Sequence, residues 1–184
     1  MKRVTMMGLL LATAMAGSAL AEDTVRVGGQ PMYPSKNIIQ NAVNSADHTT
    51  LVAAVKAAGL VDTLSGEGPF TVFAPVNAAF SDLPAGAVEN LLKPENKGTL
   101  TSVLTYHVIP GRLNLAALQR QIKAGKGKAE IKTVQGETLT FMMNGDNLTV
   151  GDAKGNWANI TITNVNQSNG HPRHRSRADA LIGW

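Results

Sequence analysis

The chain has 184 residues, a formal charge of +4, a pI near 9.5 and no cysteine, so thiol catalysis and disulfide stapling are excluded and any exported fold must stand on packing alone. The charge is unevenly placed: Lys2 and Arg3 open the chain and Arg173, Arg175 and Arg177 crowd its end, leaving 12 basic and 12 acidic side chains between Glu22 and Gly170. A neutral body without a clustered basic face excludes nucleic acid as a partner.

In chain order, Lys2-Arg3, the apolar run Val4–Gly17 and the small-residue pattern Ala19-Leu20-Ala21 read as an export signal over residues 1–21. The run is too short to span a bilayer, and no later stretch approaches the ~20 apolar residues of a spanning helix. The expected product is exported, periplasmic or extracellular, with no stable membrane span after cleavage. The remaining 163 or so residues suit one domain.

Residues 22–36, with Gly28-Gly29, Pro31 and Pro34, read as a lead-in rather than a folded unit. Asn37 followed by Gln40 is a capping-box pattern opening a helix whose apolar face is Ile38, Ile39, Ala42 and Val43. A second helix is expected from Thr49 or Thr50 to Gly59. Phe70–Ala74 reads as a strand stopped by Pro75, which has no N–H to donate, and Asn77 as the cap of a short helix that follows.

Further helices are expected near Ala85–Leu92, Lys97–Leu104 and Asn114–Ala124. A strand is expected that opens with the adjacent pair Tyr106-His107, on opposite faces, and closes on a Pro110-Gly111 turn. After Lys128 the chain turns Thr-rich and β-branched: strands are expected at Ile131–Val134, Leu139–Met143, Leu148–Val150 and Ile160–Val165, with a hairpin at Asn144-Gly145. Helices first and a strand meander second describe an α+β domain.

Two stretches carry a resemblance. Phe70-Thr71-Val72-Phe73-Ala74-Pro75-Val76-Asn77-Ala78-Ala79-Phe80 and Leu104-Thr105-Tyr106-His107-Val108-Ile109-Pro110-Gly111, in that order and spacing, resemble the two internal motifs of the fasciclin domain, here of the bacterial secreted or periplasmic kind. The resemblance covers residues 37–170. It implies a fasciclin-like β-sandwich or wedge with several helices packed on one side, and a non-enzymatic cell-adhesion or binding module. The first motif (Phe70, Thr71, Val72, Phe73, Ala74, Pro75, Asn77, Ala78, Ala79 and Phe80) is expected to be structural. By resemblance Tyr106 and His107, with Val108 and Ile109 as apolar support, are the candidate partner-binding residues; a buried Tyr and a hydrogen-bonded His that hold the segment in place are the alternative.

Where such a domain closes with an aliphatic strand, residues 171–184 read His-Pro-Arg-His-Arg-Ser-Arg-Ala-Asp-Ala-Leu-Ile-Gly-Trp. That tail is basic and unsuited to a buried strand, so an unpaired sheet edge is expected. One permitted set of codons for it, read one base later, encodes Ile-His-Val-Ile-Asp-Arg-Val-Leu-Met-Pro and a stop. The tail therefore reads as a frameshift product.

The sequence carries no Gly-x-Ser-x-Gly, no Ser-x-x-Lys, no phosphate-binding glycine loop and no His-Glu-x-x-His. No catalytic residue, cofactor or metal is expected: His171 and His174 sit among arginines, and His48 reads as a lone exposed loop histidine. The expected partner is an extracellular or envelope protein or a surface polymer. The alternative is a periplasmic carrier of a small apolar ligand, which calls for a large apolar cavity between sheet and helices.

Overall fold

A computed structural model describes residues 24–165 and 167–169 in full and residues 175–178 as backbone. The expected signal segment, His171 and His174 lie outside the described residues.

The helical half comes first. Helix α1 (Ile38–Ala42) opens with the full capping box: Asn37 Oδ1 accepts from Gln40 N–H at 2.8 Å, and Gln40 Oε1 accepts from Asn37 N–H at 2.9 Å. Val43, expected on its apolar face, is exposed, because the helix ends one residue before it. A 3-10 turn (Ala46–His48) leads into α2 (Thr49–Ala58), which ends at Gly59 in the left-handed region, φ +72°. Helices α3 (Val61–Ser65), α4 (Asn77–Ser81), α5 (Ala87–Leu91) and α6 (Lys97–Tyr106) complete this layer. Their core holds Leu51, Val55, Leu64, Phe80, Leu100 and Leu104.

The other half is a sheet. Helix α7 (Leu115–Ala124), capped by Asn114 onto Ala117 N–H, packs against a meander of β6 (Lys128–Lys132), β7 (Thr138–Asn144), β8 (Asn147–Gly151) and β9 (Trp157–Asn164). The β7–β8 turn is the expected hairpin, with Gly145 at φ +61°. Period-2 alternation sorts the faces: Leu139, Phe141, Leu148, Val150, Ala158 and Ile160 point inward onto Phe73, Ile109, Leu118 and Ile122. Burying each large aliphatic or aromatic side chain there contributes about 1.5–3 kcal/mol.

Between the halves lie β3 (Phe70–Val72), β4 (Ala74–Pro75) and β5 (Val108–Pro110). The expected strand Phe70–Ala74 is thus split at Phe73. Strands β3 and β5 pair antiparallel, Thr71 opposite Ile109, while β4 belongs to the large sheet, whose order is β4, β10 (Arg175–Ala178), β9, β8, β7, β6.

Three expectations are corrected. The lead-in is a hairpin, β1 (Val25–Val27) with β2 (Gln30–Met32), whose Val27 and Met32 are buried. It seats so closely that a Cβ on Gly28 would lie 2.7 Å from Ala46 N, which only glycine permits. Tyr106 and His107 are not on a strand: Tyr106 ends α6 and His107 caps it. Lastly, the tail supplies a strand. Backbone β10 (Arg175–Ala178) lies between β9, antiparallel, and β4, parallel, with an irregular register between Ser176 and Ala178. The edges of β9 and β4 each present unpaired N–H and C=O groups, and any backbone in the slot satisfies them whatever its side chains. The expected bare edge is therefore filled.

Candidate functional site

The two sequence motifs meet at the junction of the halves. Phe73 N–H donates to His107 C=O at 2.9 Å, Gly111 N–H to Pro69 C=O at 2.8 Å, and Val134 N–H to Val108 C=O at 2.7 Å. Thr71 Oγ1 donates to Gly111 C=O at 2.9 Å and accepts from Leu113 N–H at 3.0 Å, pinning the chain after β5. The Phe73 and Phe141 ring centroids lie 5.1 Å apart. In this motif Phe73, Ala79 and Phe80 fill core, Pro75 is buried, and Ala78 is exposed. Phe70, Val72 and Ala74 pack half-buried against the helical core.

The four candidate partner-binding residues are all buried: Tyr106 is 6%, His107 5%, Val108 5% and Ile109 2% exposed. Tyr106 and Ile109 belong to the core beneath the sheet, and the Tyr106 and His107 rings meet edge-on at 6.0 Å. His107 Nδ1 lies 2.8 Å from Val103 C=O, an acceptor, so Nδ1 carries the proton and Nε2 is a bare, buried acceptor. Burial holds the imidazole pKa below its ordinary value, opposed by that hydrogen bond. Burial, then Asp152 and Glu137, push the Tyr106 phenol up, against the Ala153 backbone N–H. Most of their surface is withdrawn from solvent, and Tyr106 lines a cleft of about 170 Å3 with Ser102, Gln135, Glu137, Asp152 and Lys154.

His48, expected to be exposed, is 4% exposed, with Nδ1 2.8 Å from Ser45 Oγ. The 3-10 turn under the lead-in hairpin folds it inward. Among the described residues no group of three or more His, Cys, Asp or Glu could hold a metal ion, and no helix is long and apolar enough to cross a membrane.

Two apolar cavities lie at the junction. One, about 90 Å3, is lined by Val27, Met32, Phe70, Ile162 and Val165 among others; the second, about 60 Å3, shares Ile38, Ala42, Val72 and Ala74 with it and reaches His107.

Sequence reasoning missed two sets of residues. Asn41, fully buried, donates to Tyr33 C=O at 2.8 Å, accepts from Tyr33 N–H at 2.9 Å, and bonds Gln167 Oε1. With Asn169, which donates to Leu64 C=O at 2.6 Å and accepts from Ile38 N–H at 3.1 Å, it ties the start of the domain to its end. The second set is the outer face of the sheet. Trp157, 48% exposed, lies across Gly151, where a Cβ would stand 2.9 Å from three indole carbons, and Met142 is 38% exposed nearby. The alternation of Trp157, Asn159 and Thr161 against Ala158 and Ile160 was the signal available.

A family model for the fasciclin domain matches residues 46–171. Protein sll1483 of Synechocystis is 44% identical over 157 residues, 85% of this chain and 80% of that protein. Immunogenic protein MPB70 of Mycobacterium bovis is 40% identical over 61% of this chain and 54% of its own length. Cell surface glycolipoprotein MPB83 of the same species is 43% identical over 51% and 37%, so the alignment covers about half or less of these mycobacterial relatives. A solved FAS1 domain pair from the insect cell adhesion molecule Fasciclin I superposes with a TM-score of 0.55 at 20% identity, over 73% of this chain and 44% of that one, a likeness of fold. Sequence motifs, architecture and family match agree, and the chain belongs to the fasciclin domain family.

Proposed function

We propose that this protein is a non-catalytic, exported binding module of the adhesion type, acting at the cell envelope or outside the cell through the outer face of β7–β9. The observation that carries this reading is that face: among the described residues no helix covers it, and it presents Trp157 and Met142 to solvent while Leu139, Phe141, Leu148, Val150 and Ile160 on the opposite face are buried. Tyr106, His107, Val108 and Ile109 serve the same function from beneath, Tyr106 and Ile109 packing on the inner side of this sheet. The cell-surface description of MPB83 supports the location. The two apolar cavities, about 90 and 60 Å3, are small beside the roughly 300–1,000 Å3 of ligand sites, so the adhesion reading stands ahead of the carrier.

Co-sedimentation of the purified mature chain with its own envelope fraction tests this. Binding should saturate and fall about tenfold in a Met142→Glu, Asn159→Lys variant that melts like the parent, because charge on a contact face opposes docking. Binding unchanged by that variant would sink the assignment to this face.

A further inference from the structure

We infer that the outer face of β7–β9 is a stacking platform for a neutral polysaccharide, with Trp157 as the aromatic floor for a sugar ring. The inference rests on the reading above that this face does the binding, and it names the partner's chemistry.

The first support is the pose of the indole. Trp157 stands opposite Gly151 in the β8–β9 pairing, and its ring covers the space a Gly151 side chain would take. One ring face rests on backbone and the other is left to solvent at 48% exposure. An aromatic so placed loses little freedom on binding, and its π-face attracts the slightly positive C–H groups on one side of a pyranose.

The second support is what surrounds it. Thr140 lies in the same cross-strand row as Gly151 and Trp157, and Met142, Thr149 and Asn159 form the next row. Along β9, Asn159 is two residues from Trp157 on the same face, about 7 Å away. No hydrogen bond occupies the side chains of Thr140 or Asn159 among the described residues, whereas Thr149 Oγ1 donates to Met142 C=O at 3.1 Å. Free hydroxyl and amide groups therefore flank the indole at the distance of a sugar's own hydroxyls.

Charge decides among partners. The outward positions of β7, β8 and β9 carry threonine, asparagine, methionine, glycine and tryptophan and no charged residue. On neighbouring β6, Lys128 and Glu130 pair at 2.7 Å, and Lys132, opposite Thr138, leaves one exposed cation at that margin of the face. An anionic polymer or lipid surface finds no cation on these three strands, and a protein partner finds only two separated apolar side chains. A neutral, hydroxyl-rich chain matches both the electrostatics and the hydrogen-bonding groups.

The test is affinity electrophoresis of the mature chain in native gels cast with hydroxyethyl cellulose, dextran or anionic carboxymethyl cellulose, run beside the envelope sedimentation assay. Retardation by at least one neutral polymer is expected, about tenfold weaker in Trp157→Ala and largely kept in Trp157→Tyr, which retains a stacking ring. Trp157 is exposed, and a thermal melt of each variant confirms that the fold is intact. No retardation by either neutral polymer, or equal retardation of Trp157→Ala, overturns the inference. If the envelope is still bound and that binding is lost in the Met142→Glu, Asn159→Lys variant but not in Trp157→Ala, the face binds and the glycan assignment alone fails. If the envelope is not bound at all, both readings fall.

Discussion

Asn77 caps the helix that begins at Thr49, not the one it opens: its Oδ1 accepts from Thr50 N–H at 3.0 Å and from Thr49 Oγ1 at 3.2 Å. Its Nδ2 donates to Ala46 C=O at 2.9 Å, so one amide ties α4 to the start of α2. Replacing Asn77 by Ala leaves an N-terminal N–H of α2 without its partner and should cost about 1–2 kcal/mol. Asn77→Asp, which keeps the acceptor and loses the donor, should fall between the two. Urea midpoints of the three proteins check this; equal midpoints for parent and Asn77→Ala would show that the cap contributes nothing.

His107 makes stability depend on pH in a stated direction. Its folded pKa lies below the ordinary 6.5 because it is buried. Above about pH 6.5 the imidazole is neutral in both states and stability is complete. As pH falls below that value the unfolded chain takes up a proton that the folded chain refuses. Stability is then lost at up to about 1.4 kcal/mol per pH unit until the folded pKa is reached. His107→Gln, which can still donate to Val103 C=O, should flatten this part of the profile between pH 7.5 and 5.5. Parallel profiles for the two proteins would remove His107 from the account.

Gly151 controls the pose of Trp157. A Cβ there would stand 2.9 Å from three indole carbons, far inside van der Waals contact, so Gly151→Ala must lift the ring. In a Trp184→Phe background, where Trp157 is the only indole left, the emission of Gly151→Ala should differ from its parent. Gel retardation by neutral polysaccharide should drop with it, at a cost to stability of about 1 kcal/mol or less. Unaltered emission would mean that the ring has another resting place.

The tail remains open to a direct test. The slot that β10 fills lies beside an apolar cavity lined by Phe70, Val72, Ala74, Ile162 and Val165. We propose that the native chain carries Ile-His-Val-Ile-Asp-Arg-Val-Leu-Met-Pro after Gly170. That version should be more stable by about 4 kcal/mol or more, from roughly five aliphatic side chains newly buried. Source DNA read across codons 165–184 settles the frame, and urea melts of the two proteins settle the energetics. A chain as written that melts with the restored one would overturn the energetic claim.

Sequence alone determined what short range decides. Asn37 with Gln40, Gly59 past α2 and the Asn144-Gly145 hairpin all appear where local pattern placed them, because caps and turns depend on hydrogen bonds and dihedral preferences within a few residues. The inward set of the meander was legible for the same reason, since alternation is a property of the strand itself.

Only tertiary structure decided the rest. That Asn77 reaches Thr50, 27 residues away, that His48 and the Tyr106-His107 pair are interior, and that an arginine-bearing segment closes the sheet all depend on which surfaces meet. The outer face was half legible: its threonines, asparagine and tryptophan could be counted at alternate positions. Its bareness and the flat seat of Trp157 on Gly151 could not, because exposure is set by where the helices pack, and they pack on the other side.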